Sequence, residues 1–209
     1  MDPINKLVEL FSEFPGIGPR QARRFVYYLL RHNNGFLNEI SENILNLKKS
    51  IGSCTVCFQY FQKNTKQHPP STLCQICADS HRNQNELMII SHDVDLEHIE
   101  KSGLYKGLYF VLGGVVPILA PNPEERIRSR ELLTLVKTRA EKSELKEIII
   151  AMNITPEGEN TEQYLEKALA PLAEKHNLKI SHLGRGISTG TEIEYSDKET
   201  LKNALQNRK

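Results

Sequence analysis

The stretch Cys54-Thr-Val-Cys57, separated by sixteen residues from Cys74-Gln-Ile-Cys77, decides how this chain of 209 residues is organised. Each CxxC pair places two thiolates on one side of a tetrahedron, and the spacing is typical of a four-cysteine zinc site. The alternatives are four buried free cysteines or a redox CxxC. Two CxxC turns, each called a knuckle below, rarely occur together by chance, so the pair favours zinc. Because four thiolates leave no open coordination position, we predict one structural Zn²⁺ per chain.

The overall charge and hydropathy indicate what kind of DNA-binding surface the chain can have and in which compartment it works. The formal net charge is +1, so a DNA-binding surface must be a local basic patch. No apolar run reaches the length of a membrane span, and the N-terminus lacks the pattern of a secretion signal. We expect a cytoplasmic protein with no membrane partner. Thiols stay reduced in that compartment, which favours a metal site over disulfides.

Three amphipathic helices are predicted within the first fifty residues, because apolar side chains recur there at the three-and-four spacing of a helix. These side chains are Ile4, Leu7, Val8 and Phe11 in the first helix, Ala22, Phe25, Val26, Leu29 and Leu30 in the second, and Phe36, Ile40, Ile44 and Leu47 in the third.

The run Pro15-Gly16-Ile17-Gly18-Pro19 separates the first two of these helices. Glycines adopt positive φ and carry no Cβ, so backbone amides at such a turn approach a phosphate closely. This is how a helix-hairpin-helix binds the DNA backbone without reading its sequence. A plain turn between packed helices is the alternative.

The helix after the hairpin favours the DNA-binding interpretation. Three arginines stand in its first turns, where the helix dipole disfavours positive charge. At about 100° per residue, Arg20, Arg24, Tyr27 and Arg31 share one face. A basic face in this position is expected where an anion binds. The predicted DNA contacts are Gly16, Gly18, Arg20, Arg23 and Arg24.

From residue 86 onward, short apolar runs alternate with helical stretches, which predicts an α/β fold with a mostly parallel sheet and helices on its faces. The predicted strands are 87–90, 108–112, 148–152 and 178–183, and the predicted helices are 94–102, 124–141, 160–176 and 198–207.

A metal-dependent phosphoryl-transfer site in this sheet would need acidic residues at strand ends. The first strand ends instead at Ser91, and we expect the nearby Asp93 to cap the following helix. Glu157 and Glu159 stand where a loop enters a helix, a position that acidic residues favour. The sequence also lacks a P-loop, so we predict no catalytic residue.

The order of these parts resembles the RecR family of recombination mediators over nearly the whole chain. The matching stretches are residues 14–24, the run Ser102–Gly114, the block with Asn153, Glu157-Gly158-Glu159 and Thr161, and the block from Arg185-Gly186 to Glu194-Tyr195 and Leu201. The resemblance implies a helix-hairpin-helix (1–53), a four-cysteine zinc finger (54–77), a Toprim-like domain (78–176) and a C-terminal strand, glycine loop and short helix (177–209).

The resemblance also implies a function in DNA repair and recombination after DNA damage. A ring-like homotetramer would clamp single- and double-stranded DNA at the nucleoid without sequence preference. It would act with RecO, and in many bacteria with RecF, to load RecA onto gapped DNA. The family's basic DNA-contacting positions correspond to Arg20 and Arg24, and we assign partner binding to Glu157 and Glu159.

This sequence departs from the family pattern in a longer loop between the cysteine pairs and in Ser91, where the family generally has an acid. Two other classes of protein remain as alternatives. A Mg²⁺-dependent Toprim enzyme of the nuclease, primase or topoisomerase type would need the strand-end acids. A zinc-containing adaptor that binds only proteins would not need the basic face with Arg20 and Arg24.

Overall fold

The computed structural model describes residues 2–63, 71–119, 122, 125–184, 186, 187, 190, 192–196, 198–206 and 208. The middle of the predicted zinc loop (64–70) and Arg185 lie outside these residues. The chain forms two compact units, residues 1–52 and 53–209. The division of the second unit into a zinc finger, a Toprim-like domain and a C-terminal region stays a prediction.

The smaller unit contains the three predicted helices, α1 (Pro3–Ser12), α2 (Pro19–Leu30) and α3 (Asn34–Ser50). The side chains of Asp2 and Asn33 accept hydrogen bonds from backbone amides in the first turns of α1 and α3. These N-caps satisfy amides that have no partner within the helix, and they explain where α1 and α3 begin.

The core between α1 and α2 is small. Val8, Ala22 and Val26 are buried, and Phe11 and Ile17 pack against them. Phe25 and Leu30, which we predicted to face the core, are 44% and 63% exposed. Two short helices cannot cover so wide an apolar face, so part of it stays in contact with solvent.

Helix α3 exposes its apolar side. None of its residues is buried, and Ile44 and Leu47 are both more than half exposed. Monomeric proteins rarely expose several large apolar side chains on one helix face, so this side of α3 is typical of an interaction surface.

The larger unit is built on a four-stranded sheet with the strands β3 (Glu86–Ile90), β4 (Leu108–Val111), β5 (Glu147–Ala151) and β6 (Lys179–His182). All neighbouring strands are parallel, in the order β4-β3-β5-β6. All four predicted strands are confirmed, and the predicted mostly parallel arrangement is correct. Two shorter strands, β1 (Ile51–Ser53) and β2 (Tyr60–Gln62), form a separate two-stranded sheet.

Helices cover both faces of this sheet, which explains why its strands read as continuous apolar runs. The larger unit contains the helices α4 (Gln75–Ala78), α5 (Asp93–Ser102), α6 (Ser129–Glu141), α7 (Pro156–His176) and α8 (Lys198–Gln206), of which α5, α6 and α7 pack on the faces of the sheet. Alternate strand residues enter two cores. Leu96 of α5 packs with Met88 and Tyr109 on one face, and α6 and α7 pack with Phe110 and Ile148 on the other.

Two helix starts differ from the predicted ones. Helix α6 begins at Ser129 and not near residue 124, because the Arg128 amide donates to the Leu112 carbonyl along the sheet. Helix α7 begins at Pro156, four residues before the predicted start, with Thr155 as its N-cap. None of the helices in the described part of the chain is long and apolar enough to cross a bilayer.

A partly buried ion pair joins the segment before β3 to α5. The Arg82 guanidinium donates to both carboxylate oxygens of Glu100 at 2.6 and 3.0 Å, and to the Gly107 carbonyl. The Tyr109 hydroxyl also donates to Glu100, at 2.9 Å. The hydrogen bonds from Arg82 hold the pKa of Glu100 below its usual range.

We predict that Glu100→Gln lowers the free energy of unfolding by about 1–2 kcal/mol at pH 7, because Arg82 loses its charged partner while Glu100 is partly solvated. A depressed carboxyl pKa stabilises the fold above the ordinary value of about 4.3 and stops doing so as the pH falls through the folded-state pKa. The difference between the two proteins should therefore shrink on acidification, as measured by urea unfolding at pH 7, 5 and 4.

The exposed pair of Glu97 with Lys101 supplies the control. Glu97→Gln should change the unfolding free energy by less than about 0.5 kcal/mol at every pH. An effect of Glu100→Gln that stays constant from pH 7 to 4 would exclude the charge as its cause.

Candidate metal centre and nucleic-acid interface

The four predicted cysteine ligands come together in the larger unit. All four sulfur atoms lie within 4.8 Å of one another, and Cys54, Cys57 and Cys74 are buried. The Sγ atoms of Cys57 and Cys74 are 3.5 Å apart. A tetrahedral zinc ion with bonds of about 2.3 Å holds its sulfurs about 3.8 Å apart. The sulfur cluster therefore fits a small tetrahedral metal ion.

Backbone hydrogen bonds shape both knuckles around this position. The Phe58 amide donates to the Cys54 carbonyl at 3.0 Å, and the Ala78 amide donates to the Cys74 carbonyl at 3.0 Å. The Cys77 amide points at the Cys74 sulfur at 3.4 Å. An amide donated to sulfur stabilises a thiolate, which is the form that binds metal. Phe58 has a φ of 63°, so the first knuckle places a bulky residue in the left-handed region.

The thiols cannot all ionise by themselves. Hydrogen bonds from Cys57 and the other two thiols lower the pKa of Cys54, whereas the contact with Cys54 raises the pKa of both Cys57 and Cys77. Each further thiolate would repel the first at this short distance. A divalent cation at the centre removes the conflict, because it stabilises every thiolate at once.

The first knuckle is fixed to the outer edge of the sheet. The Val111 amide of β4 donates to the Cys57 carbonyl at 2.9 Å, and the Phe58 ring packs edge-on against Phe110 at 5.4 Å. The Arg128 guanidinium lies 5.2 Å from the Phe58 ring centre. Phe58 and Arg128 could not be predicted from the sequence, because the spacing of the cysteines does not show what the knuckle packs against.

A partly buried cation lies in the same region. Arg139 of α6 donates from Nη2 to the Gln84 side chain at 2.5 Å, while its buried Nη1 finds no hydrogen-bond partner among the described residues. Burial lowers the pKa of Arg139, and its charge interacts with Glu144 and Cys77. A positive charge here favours a sulfur cluster that carries excess negative charge.

The carboxyl ends of the strands carry few free acids. Ser91, directly after β3, is fully buried, and its hydroxyl donates to the Met152 sulfur at 3.4 Å. Asp93 does not cap α5 as predicted, because its carboxylate accepts the Tyr60 amide at 2.8 Å. His92 is the N-cap residue, and Asp95 accepts its amide. Among the described residues, the four cysteines are the only group of three or more potential ligand side chains whose donor atoms lie close enough together to hold one metal ion.

Glu157 and Glu159 belong to the first turn of α7. Thr155, and neither glutamate, is the N-cap, with its hydroxyl accepting the Gly158 amide at 3.1 Å. A Cβ on Gly158 would lie 2.0 Å from the Asn153 carbonyl oxygen, so this turn requires glycine. The buried Thr161 hydroxyl accepts the Val116 amide at 2.8 Å and ties α7 to the loop after β4.

The hairpin of the smaller unit has the backbone that its glycines predict. Gly16 has a φ of 76°, and the Ile17 amide donates to the Phe14 carbonyl across the turn. Gly18 is the N-cap of α2 and offers no side chain to the free amides, and Pro19 begins the helix. A Cβ at either glycine would meet open space, so the hairpin surface is accessible.

The predicted basic face of α2 is exposed. Arg20, Arg24 and Arg31 all lie in solvent, and Arg24 makes one long hydrogen bond of 3.3 Å to Gln21. Arg23 turns towards α1 and donates to the Asn5 side chain at 3.4 Å. The structure therefore places Arg20 and Arg24 together at the start of the helix, beside the hairpin.

Comparison with known families covers most of the chain. The family model "RecR, helix-hairpin-helix" matches residues 4–47, "Toprim domain" matches residues 85–184, and "RecR, C-terminal" matches residues 186–209. The predicted helix-hairpin-helix and Toprim-like parts of the fold are confirmed.

Three relatives, each named "Recombination protein RecR", match over the full length. The protein from Dehalococcoides mccartyi is 34% identical over 98% of this chain and 93% of its own. Those from Lactococcus lactis subsp. cremoris and Herpetosiphon aurantiacus are 35% and 34% identical, over 99% and 100% of this chain and 96% and 94% of theirs. The chain belongs to the RecR family. The predicted RecR resemblance is confirmed.

We predict that this RecR-family protein binds one divalent ion per chain and that Cys74→Ser abolishes tight binding. A structural site of this kind contributes on the order of 10–16 kcal/mol in apparent binding free energy, and loss of one ligand opens it. Affinity should fall as the pH falls, because protons compete for the thiolates. Elemental analysis and Co²⁺ absorption measure both effects.

Gln75→Ser is the matched control, because it changes an exposed neighbour of Cys74 and leaves the sulfur set intact. It should bind metal as the unaltered protein does. Protein purified without chelator that contains no metal would contradict the assignment.

Proposed function

We propose that this protein is a non-enzymatic DNA-binding recombination mediator in DNA repair. The exposed pair Arg20 and Arg24 beside the glycine hairpin carries this proposal, because it is a local basic patch on a chain of net charge +1. The names of the full-length relatives support a function in recombination.

The hairpin suits the DNA backbone for physical reasons. The first amides of α2 have no side-chain cap, and the positive end of the helix dipole lies beside them. A phosphate at Gly16 and Gly18 would accept these amides and neutralise Arg20 and Arg24. Arg23, which contacts Asn5, would reach the same phosphate or its neighbour by turning outward. Such contacts bind any sequence, because every nucleotide carries the same phosphate.

The metal in this proposal is Zn²⁺, one per chain, held by Cys54, Cys57, Cys74 and Cys77. Four thiolates in a tetrahedron suit zinc, and they leave no position for substrate. The ion would supply stability, because its knuckle covers the edge of β4 through Cys57 and Phe58.

We further propose that the protein forms a homotetrameric clamp. The clamp works with RecO, and with RecF where present, to load RecA onto gapped single-stranded DNA. The exposed apolar side of α3 supports self-association, because a second copy would cover it. Glu157 and Glu159, in the first turn of α7, supply acidic side chains for a partner protein. We place the protein in the cytoplasm at the nucleoid.

The absence of enzymatic activity is part of the same proposal. Toprim chemistry needs divalent metal held by clustered carboxylates. Ser91 occupies the end of β3, and Asp93 and Asp95 accept backbone amides there. These arrangements support a domain that acts as a binding platform and weigh against the alternative of a Mg²⁺-dependent nuclease or primase.

Replacing Arg20 and Arg24 together by Ala should weaken binding to all DNA sequences about equally while the fold survives. Each phosphate contact adds roughly 0.9 to the salt dependence of binding to duplex DNA. The double variant should therefore lose up to about two units of that slope. Fluorescence anisotropy at several salt concentrations measures both affinity and slope.

The matched control is Lys48→Ala with Lys49→Ala, which removes the same charge from the exposed end of α3. It should leave the slope nearly unchanged. Unchanged affinity and slope in the arginine variant would move the DNA site elsewhere, and no DNA binding by the unaltered protein would favour the protein-only adaptor.

The enzymatic alternative predicts turnover of a nucleic-acid or nucleotide substrate. We expect none when the protein is incubated with labelled gapped DNA, ATP and either Mg²⁺ or Mn²⁺. Cleavage, priming or hydrolysis that disappears in a Glu157→Ala, Glu159→Ala double variant would overturn the proposal.

A further inference from the structure

An aromatic ring lies within the basic face of α2. Tyr27 is 46% exposed and lies on the face that carries Arg20, Arg24 and Arg31. Arg24 and Arg31 are three residues before it and four residues after it, so both are its neighbours on the helix surface.

Tyr27 differs from the next tyrosine in the chain. The Tyr28 ring lies 4.2 Å from the His32 ring and 6.3 Å from the Phe36 ring, so it already has aromatic neighbours. Among the described residues, Tyr27 has neither a ring contact nor a hydrogen bond from its side chain. The two tyrosines are similarly exposed. They differ in that the Tyr28 ring contacts other rings, whereas no ring among the described residues contacts Tyr27.

We propose that Tyr27 stacks on an unpaired base of single-stranded DNA whose phosphates are bound by the arginines of α2. The inference rests on the proposed DNA-binding function and extends it by assigning a preference for single strands to this face. Base stacking on aromatic rings works for every base and requires a base that is not already stacked in a duplex. Phosphate contacts alone do not distinguish the two forms of DNA.

The dimensions of the helix agree with this assignment. From Arg20 to Arg31 the axis advances about 16 Å at 1.5 Å per residue, with Tyr27 between the two. A strand that follows this face would meet a cation, the ring and another cation in turn. This combination of a basic track with an interleaved aromatic is how proteins bind single strands without reading sequence.

The test compares Tyr27→Leu, Tyr27→Phe and Tyr28→Leu for binding to an oligo-dT strand and to a blunt duplex of equal length. Tyr27→Leu keeps an apolar side chain and removes the ring. It should weaken single-strand binding about tenfold and leave duplex binding and the salt slope unchanged, because stacking releases no counterions. Tyr27→Phe and Tyr28→Leu should bind both substrates as the unaltered protein does.

Circular dichroism on each variant checks that the helices persist, which the solvent-exposed position of Tyr27 leads us to expect. Single-strand affinity that survives Tyr27→Leu would overturn the inference, as would an equal loss on the duplex. A loss as large in Tyr27→Phe would assign the contact to the hydroxyl and also overturn it. If the unaltered protein binds neither substrate, the proposed function itself fails, so the two failures are distinguishable.

Discussion

A four-stranded parallel sheet must be covered on both faces and along its edges, and this constraint organises the larger unit. Helices cover the faces, but the outer edge of β4 still presents backbone groups. Cys57 accepts the Val111 amide there, and Arg128 donates from its side chain to the Val111 carbonyl at 2.9 Å. The segment Cys54–Cys57 is therefore part of the covering of the sheet as well as half of the four-cysteine cluster.

This double role links metal binding to the stability of the fold. Without a cation, the four thiols compete for protons, and contact with Cys54 raises the pKa of Cys57 and Cys77. The same segment holds the Phe58 ring against Phe110 in the main core. Metal binding and the packing of this edge of the sheet therefore depend on the same segment of chain.

The smaller unit carries an exposed basic surface although its core is very small. Burial of Val8, Ala22 and Val26 holds α1 against α2. Glycines at the hairpin leave amides accessible, and the helix that follows carries Arg20 and Arg24 outward. Strong burial is confined to one side of α2, so the opposite side is free to bind a ligand.

The sequence by itself determined the four-cysteine cluster, the four strands and the hairpin, because each depends on residues close together in the chain. Spacing alone could not place the start of α6, since the Arg128 amide bonds to Leu112. Nor could it assign Asp93, whose carboxylate accepts an amide thirty-three residues away. Local propensity favours Asp93 as a helix cap, but its carboxylate accepts the long-range hydrogen bond from the Tyr60 amide instead. Only the tertiary structure decides such cases, because the competing partner is distant in sequence and becomes a neighbour through folding.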